Sequence, residues 1–213
     1  IGVQQDPTFH PEGDAFEHTM QCLDCASDEF TRVVMLCHDL GKATTTKFDE
    51  KKQRWTAIGH EEAGVPLTLI LLERLNWSNI KTRVQVSVLT ELHMIHSKEI
   101  ISDKCVRETK RRLHSVGLTF AQLAEVCRCD KSGRFPLPPC TPDIRLEFAD
   151  SVDITPIVTG DMLKEIGMKP GKNMGEALKK CIEWQDRGTL RADNWQKMLQ
   201  GAGFIGIDYY MED

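Results

Sequence analysis

The chain has 213 residues, of which 40% are hydrophobic and 28% are charged, as in an ordinary soluble globular protein. Its longest apolar run, Val65 to Leu72, is interrupted by Pro66 and Thr68, so we expect neither a membrane span nor a membrane partner. No signal peptide is visible, which favours a cytoplasmic protein. The formal net charge of −5 argues against general coating of nucleic acid but allows local basic patches.

Two helices are predicted in the first forty residues, after a polar lead-in of thirteen residues. The first begins at Asp14, carries His18 on its apolar side and ends near Ser27. In the second, apolar residues recur at helical spacing. Gly41 is a favourable helix stop, so His38 and Asp39 are predicted to lie in the last turn. The stripe consists of Phe30, Val33, Val34, Cys37 and Leu40.

Residues 43–58 are mostly polar, with Trp55 as a large apolar anchor, and they predict a mobile loop or a short hairpin beside a site. A helix is then predicted from Gly59 through Leu75. His60 stands at its start, where the helix dipole favours anions, so it could contact a metal or a phosphate. A further amphipathic helix is predicted from Asn79 to His96.

The next predicted helices are Ser102–Ser115 and one that is capped by Thr119 and leads to Asp130. Ser102–Ser115 contains five Lys or Arg against two Asp or Glu, a net charge of +3. This charge is either a solvated face or, through Lys104–Arg112, a contact to an RNA backbone. Four prolines in Phe135–Pro142 predict a linker, which would separate a domain of residues 1–135 from a helical region of residues 143–213.

Three or four helices are predicted after this linker. One begins near Thr159, Pro170 breaks it, and Asn173 is expected to cap a helix that runs from Met174 to Arg187. Lys164–Arg191 contains seven Lys or Arg against four Asp or Glu, again a net charge of +3. The segment is interpreted as a helical hairpin, and a contact to RNA is the alternative.

Eight cysteines are scattered along the chain. The close pairs, Cys22 with Cys25 and Cys127 with Cys129, do not repeat at the spacing of a zinc finger. The favoured interpretation is a set of reduced thiols, as is usual in cytosolic proteins. A cysteine-ligated zinc is the alternative.

The neighbouring residues His38 and Asp39 offer one borderline and one hard ligand to a divalent metal. A His-Asp dipeptide alone is a weak signal. Here His18 precedes it, and His60, His93 and Asp130 follow it in the sequence. This order, H…HD…H…H…D, resembles the HD-domain superfamily of metal-dependent phosphohydrolases.

Five segments are similar to the HD domain and the following helical region of bacterial tRNA nucleotidyltransferases, the CCA-adding enzymes. They are Phe9–Thr19, Leu36–Lys42, Gly59–Gly64, Cys129–Arg134 and Pro156–Gly171. The similarity covers most of the chain, and we expect no nucleotidyltransferase head because nothing precedes Ile1 that could hold its catalytic strand. The resemblance implies an all-α fold, an HD-domain helical bundle with a small C-terminal helical extension packed on or following it.

The resemblance also implies roles for individual residues. Asp39 would orient the attacking water, while Lys42 and Arg134 would neutralise charge on the phosphoryl oxygens. His60, His93 and His96 would contact the substrate, together with Lys42 and Arg134. The implied metal ligands are His18, His38, Asp39, His60, His93 and Asp130.

The ligand set does not decide between Mg, Mn, Ni, Co and Fe. One departure from the family pattern affects the number of ions, because Met94 stands where these domains carry an aspartate after the histidine. A methionine cannot supply a hard oxygen ligand. We therefore expect one tightly held ion and at most a weak second ion.

The implied activity is hydrolysis of phosphoesters of nucleotides or RNA ends, as a 2′-phosphatase, a 2′-nucleotidase or a 2′,3′-cyclic phosphodiesterase. The expected partner is a nucleotide or an RNA end, with tRNA contacts through Lys104–Arg112 and Lys164–Arg191. The alternative is a non-catalytic RNA-binding or scaffold module, as a fragment of a larger tRNA-processing or RNA-repair protein. The oligomeric state does not follow from the sequence.

Overall fold

A computed structural model describes residues 1–77, 79–141 and 143–206, and in these residues the chain is predominantly helical, which confirms the all-α prediction. The elements in chain order are α1 (Ala15–Cys25), α2 (Glu29–Cys37), α3 (Lys42–Thr45), β1 (Lys47–Asp49), β2 (Arg54–Thr56), α4 (His60–Arg74), α5 (Ile80–Leu92), a 3₁₀ helix (His93–Ser97), α6 (Asp103–Ser115), α7 (Phe120–Ser132), α8 (Ile144–Glu147), a second 3₁₀ helix (Ala149–Ser151), α9 (Gly160–Glu165), α10 (Lys172–Asp186) and α11 (Trp195–Gly201).

Short polar side chains fix the starts of several helices. The Asp14 carboxylate accepts hydrogen bonds from the first backbone N–H groups of α1, and Asp28 does the same for α2. Thr119 and Gln122 form a reciprocal capping box at the start of α7. At α10 the prediction was wrong, because this helix already begins at Lys172 after Gly171, so Asn173 lies inside it.

Two predicted helices end earlier than expected. Helix α2 ends at Cys37, so His38 is its C-cap residue and Asp39 lies in the turn that follows. Helix α5 ends at Leu92, and the chain continues from His93 to Ser97 as a 3₁₀ helix. A 3₁₀ helix places residues i and i+3 on the same side, so His93 and His96 face one way.

Of the two alternatives for residues 43–58, the structure shows the hairpin. Strands β1 and β2 are antiparallel, with Phe48 opposite Trp55, and the centroids of these two rings lie 5.4 Å apart in an edge-to-face contact. The short helix α3, which precedes the hairpin, was not predicted from the sequence.

The chain forms two compact units. The first contains residues 1–101 and 109–151, and the second contains residues 102–108 and 152–213, of which 207–213 lie outside the described residues. The residues after the predicted linker, 143–151, belong to the first unit, where α8 packs on α7. Pro142 itself lies outside the described residues, and the division into a domain of residues 1–135 and a helical region of residues 143–213 remains a prediction.

The core of the first unit is built from α1, α2, α4, α5 and α7, with fully buried side chains such as Val34, Met35, Leu72, Leu89 and Phe120. The turn after Asp39 touches the start of α4 so closely that a Cβ at Gly41 would lie 1.9 Å from the His60 carbonyl oxygen. Only a glycine fits this approach. The close contact brings the His38-Asp39 turn against His60.

The second unit has a core of its own. The core residues are Val158, Leu163, Met174, Ala177, Cys181, Leu190, Trp195 and Leu199. In the same unit, the Arg107 guanidinium donates two hydrogen bonds to the Asp186 carbonyl oxygen, and the shorter one is 2.8 Å long.

No helix in the described part of the chain is long and apolar enough to cross a membrane.

Candidate metal centre

His18 lies on the buried face of α1 and has no exposed surface. Its Nδ1 is 2.8 Å from both the Gly133 carbonyl oxygen and Glu12 Oε1, two acceptors that require the proton on Nδ1. Its Nε2 is therefore left to face Asp130 Oδ1 at 3.0 Å. Glu12 Oε1 also lies 2.8 Å from His10 Nδ1, so one carboxylate holds two imidazoles.

Four more imidazoles are oriented by the same kind of hydrogen bond to the backbone. In each, Nδ1 lies 2.6–2.7 Å from the backbone carbonyl three residues earlier in the chain, to which it donates its proton. The Nε2 of each ring is then left with its lone pair, as in histidines that bind a metal. The donor and acceptor pairs are His38 with Met35, His60 with Ala57, His93 with Thr90, and His96 with His93.

Asp39 stands between two groups of imidazoles. Its Oδ2 is 3.3 Å from His38 Nε2 and 3.7 Å from His18 Nε2. Its Oδ1 is 3.3 Å from His60 Nε2 and 3.9 Å from His93 Nε2. The two oxygens of one carboxylate thus face the two groups separately.

Asp130, near the end of α7, completes the arrangement. Its Oδ1 contacts His18, and its Oδ2 is 3.4 Å from His96 Nε2. The structure therefore brings all six predicted metal ligands into one site in the first unit. Their side chains come from α1, α4, α7, the 3₁₀ helix and the turn after α2.

Potential ligand atoms form three clusters, two of which share His18, and in each cluster all atoms lie within 4.8 Å of one another. The first contains a cysteine that was not among the predicted ligands. The second contains Asp39 together with the residues predicted for a second ion. The clusters are His18 with Cys22, His38 and Asp130; Asp39 with His60 and His93; and His10 with Glu12 and His18.

The donor atoms of these clusters fit a divalent cation. His60 Nε2 and His93 Nε2 lie 3.2 Å apart, yet both rings already carry their proton on Nδ1, so two lone pairs face each other. His38 Nε2 is buried without a hydrogen-bond partner among the described residues. Atoms bound to one ion at about 2.1 Å lie roughly 3–3.5 Å from each other, as His60 Nε2 and His93 Nε2 do. An ion in the cluster of His60 and His93, and another in the cluster of His38, would satisfy these lone pairs.

The pKa values of the site are consistent with a preference for positive charge. Burial opposes protonation of His38, but the Asp39 carboxylate outweighs this and raises the pKa of His38 to about 10. Burial likewise opposes the charge on His18, whose pKa is nevertheless raised by its hydrogen bond to Asp130. Burial and the charge of His38 lower the pKa of His93 to about 3. Both carboxylates, Asp39 and Asp130, keep pKa values well below the usual range in spite of burial.

The two predicted phosphate contacts differ in their surroundings. Lys42 is buried, with its Nζ 2.7 Å from Asp39 Oδ2 and 2.6 Å from the Gln5 amide oxygen, to which it donates. Arg134 lines the cleft, and its Nε donates to the Lys131 carbonyl at 3.2 Å. Lys42 is thus a partner of the metal-site carboxylate, whereas Arg134 stands at the wall of the cleft.

A cleft of about 640 Å³ opens above these groups. Asp39, His60, His93, His96 and Asp130 are among its lining residues, which places the candidate centre inside it. The wall includes Arg54, Trp55, Phe9 and Met94. The Arg54 guanidinium lies 5.7 Å from the centroid of the Phe9 ring and 3.6 Å from Asp6.

Four residues at the site were missed in the sequence: Gln5, His10, Glu12 and Cys22. Cys22 follows His18 by four positions, a spacing that places both on one face of a helix, so a signal for it existed. Gln5, His10 and Glu12 lie in an irregular segment, where no helical or strand periodicity predicts which side chains are buried.

Several of the cations predicted to contact RNA pair with acidic side chains of the protein. Arg112 pairs with Glu91, and Lys104 lies 3.5 Å from Glu108. Lys180 in α10 and Arg187, the residue after its end, lie 2.8 and 2.7 Å from Glu183. Exposed pairs of this kind are weak and exchange readily for other anions, so the RNA contacts remain a prediction.

No protein-family model matches the chain, and no solved structure gives a significant match. Curated proteins do match. The multifunctional CCA protein of Nitrosococcus oceani is 28% identical over 177 residues, which is 78% of this chain and 43% of that protein. The proteins of the same name from Xanthomonas campestris and Laribacter hongkongensis are 33% and 34% identical over 141 and 143 residues, in each case 62% of this chain and 33% of the relative.

The chain thus spans less than half the length of these curated relatives. The matched share of the chain, from 62% to 78%, agrees with the resemblance found in its motifs. The chain therefore contains a region that is related to part of the multifunctional CCA proteins.

Proposed function

We propose that this protein is a metal-dependent phosphohydrolase that acts on phosphoesters of nucleotides or RNA ends. The observation that carries the proposal is the convergence of oriented imidazole Nε2 atoms and two carboxylates inside a cleft of about 640 Å³. The similarity to multifunctional CCA proteins supports a substrate related to RNA. The cytoplasmic location remains a prediction.

Two sets of residues would hold divalent ions, of which the second is expected to be the weakly held one because Met94 offers no hard oxygen ligand. His18, His38 and Asp130 form the first set, and His60 and His93 form the second. Asp39 belongs to both, since its two oxygens face the two sets. A bound ion lowers the pKa of a water molecule and polarises a phosphoryl oxygen, which makes a hydrolytic reaction possible at neutral pH.

The residues of the chain have roles of their own in this scheme. Asp39 accepts a hydrogen bond from the attacking water and orients it, because a carboxylate with a low pKa is ionised at neutral pH. Lys42 stabilises the ionised Asp39 and contributes positive charge next to the reacting phosphoryl group. Arg134, at the wall of the cleft, offers a planar guanidinium that matches two phosphoryl oxygens.

The cleft suits a nucleotide or the end of a single strand. Its volume falls in the range of roughly 300–1,000 Å³ that is common for sites of small ligands. Trp55 and Phe9 present aromatic surfaces on which a base can stack, and Arg54 adds a cation at the same wall. The buried His96, whose Nε2 faces Asp130, would contact the substrate beside the ions.

The experiment is a metal analysis of the purified chain combined with a screen of 2′-, 3′- and 2′,3′-cyclic nucleotides with Mn²⁺, Ni²⁺, Co²⁺ or Mg²⁺ added. We expect phosphate release from, or ring opening of, a 2′-linked or cyclic nucleotide, and loss of turnover when a chelator removes the metal. Bound metal without turnover of any of these substrates would overturn the enzymatic proposal in favour of a non-catalytic RNA-binding or scaffold module.

A further inference from the structure

Cys22 lies on α1 one helical turn after His18, and its side chain is fully buried. Its Sγ is 3.5 Å from His18 Nε2, the atom that faces the candidate centre. The Sγ belongs to the same cluster as ligand atoms of His38 and Asp130, all within 4.8 Å of one another. The sulfur is therefore among the candidate ligand atoms and not behind them.

Gly133 makes this position of the sulfur possible. A Cβ at residue 133 would lie 2.4 Å from Cys22 Sγ and 2.8 Å from the Cys22 backbone nitrogen. The same glycine accepts a hydrogen bond from His18 Nδ1 through its carbonyl. The end of α7 thus packs directly on Cys22 and orients its neighbour His18.

A second observation in this cluster points to a ligand. His38 Nε2 is buried and has no hydrogen-bond partner among the described residues, although its Nδ1 is fixed by Met35. A thiol is only a weak hydrogen-bond donor, so it compensates poorly for such buried lone pairs. A cation bound by the sulfur and the two imidazoles would compensate for them.

We propose that Cys22, as a thiolate, binds the same ion as His18, His38 and Asp130. This inference rests on the proposed metal site and specifies its chemistry. When the ion binds, the thiol releases its proton to the solvent and a sulfur–metal bond forms. Nitrogen and sulfur ligands at about 2.0 and 2.3 Å from a tetrahedral ion lie about 3.5 Å apart, which is the separation of His18 Nε2 and Cys22 Sγ.

A thiolate makes the two metal sets chemically different. The set with Cys22 combines nitrogen, oxygen and sulfur, and soft ligands of this kind favour Zn²⁺ and Co²⁺ over Mg²⁺ and Mn²⁺. The set of Asp39, His60 and His93 contains only nitrogen and oxygen donors. Zn²⁺ is therefore the expected resident ion of the first set.

The test uses the full chain loaded with Co²⁺, whose absorption reports its ligands. The wild-type protein should show a near-ultraviolet sulfur-to-cobalt charge-transfer band, and Cys22→Val should lose it. Cys181→Ala removes a buried thiol of the second unit and should keep the band. By chelator competition, Zn²⁺ affinity should fall at least about 100-fold in Cys22→Val, since even residues that only support a ligand contribute 10- to 100-fold.

The wild-type spectrum tests whether Cys22 binds the ion even if a variant fails to fold. Bound Co²⁺ with its visible bands but without the sulfur band would refute the role of Cys22 and leave the proposed phosphohydrolase standing. A band that persists in folded Cys22→Val would also refute it. A wild-type chain that binds neither Co²⁺ nor Zn²⁺ would overturn this inference and the proposed function together.

Discussion

Asp39 is the residue on which the candidate centre depends most. It is almost completely buried, yet its carboxylate stays ionised because His38 and Lys42 supply compensating positive charge. Its two oxygens face different imidazoles. In the proposed scheme, substitution of Asp39 removes a ligand of both ions and the group that orients water.

We expect Asp39→Ala to lower kcat at least about 10³-fold, since both the metal-activated water and charge stabilisation are lost. Arg134→Ala should keep the metal and lose only a phosphate contact, at a cost of about 10- to 100-fold in kcat/KM. Steady-state kinetics on the best substrate of the screen, together with metal analysis, measures the contrast.

Comparison of these two variants separates catalysis from folding, because a general folding defect would depress both alike. Circular dichroism spectra should be unchanged in each. If folded Asp39→Ala kept the turnover of the wild-type chain, the His38-Asp39 pair would not be the catalytic centre.

Glu12 acts on the centre through His18. Its buried carboxylate oxygen lies 2.8 Å from His18 Nδ1, which fixes the tautomer that leaves Nε2 for an ion. We expect Glu12→Ala to weaken metal binding about 10- to 100-fold, the usual effect of losing such a support. Chelator competition measures this change.

Glu17→Ala is the matched control, since Glu17 is an exposed residue in the first turn of α1 and is not a member of the metal clusters. Its metal affinity should equal that of the wild-type chain. Equal affinities in both variants would show that Glu12 does not support the ligand.

At the scale of elements, the packing of the Asp39 turn on α4 sets the geometry of the site. A Cβ at Gly41 would lie 2.6 Å from the Gly64 backbone nitrogen as well as against the His60 carbonyl. Both neighbours are backbone atoms, which cannot rotate away. Gly41 has a backbone φ of −64°, so the glycine is needed for space and not for a left-handed conformation.

Gly41→Ala should therefore destabilise the first unit by about 3 kcal/mol or more, at the upper end of the cost of overpacking. Gly175→Ala is the contrasting change, because Gly175 lies inside α10 with no atom near its added Cβ. Alanine is the better helix former, so this variant should gain about 0.5–1 kcal/mol. Urea unfolding of both variants tests the pair, and equal stabilities would contradict the close approach.

At the scale of the whole molecule, the candidate centre lies entirely in the first unit. Candidate ligands from four separate helical elements and one turn meet there, so a bound ion would link these elements. The second unit has an independent apolar core and none of the clustered ligands found among the described residues. Metal binding should therefore stabilise one unit selectively.

We expect calorimetry to show that Zn²⁺ at about 100 times its Kd stabilises the first unit by about 2.7 kcal/mol, a rise of roughly 5–10 °C in its Tm. The Tm of the second unit should not change. Addition of a chelator should reverse the shift. If the Tm values of both units rose equally, or if neither rose, a metal site confined to the first unit would be contradicted.

The sequence by itself determined the helical class and the identity of the ligand candidates. Helical spacing of apolar residues and short polar caps are local properties, and they predicted α1, α4 and α7 with their histidines and Asp130. The order of His and Asp residues predicted the candidate ligands, because the type of side chain decides which metals it can bind. The hairpin followed from the polar composition of residues 43–58 as one of two alternatives.

Only the tertiary structure decided how these residues meet. His18 and Asp130 are 112 positions apart, and no local pattern encodes the contact between them. The inward positions of Glu12 and Cys22, the close approach at Gly41 and the 3₁₀ turn that aligns His93 with His96 all depend on packing between elements. Periodicity describes which face of a helix is buried, whereas the distances that make a metal site are set by which other elements pack against that face.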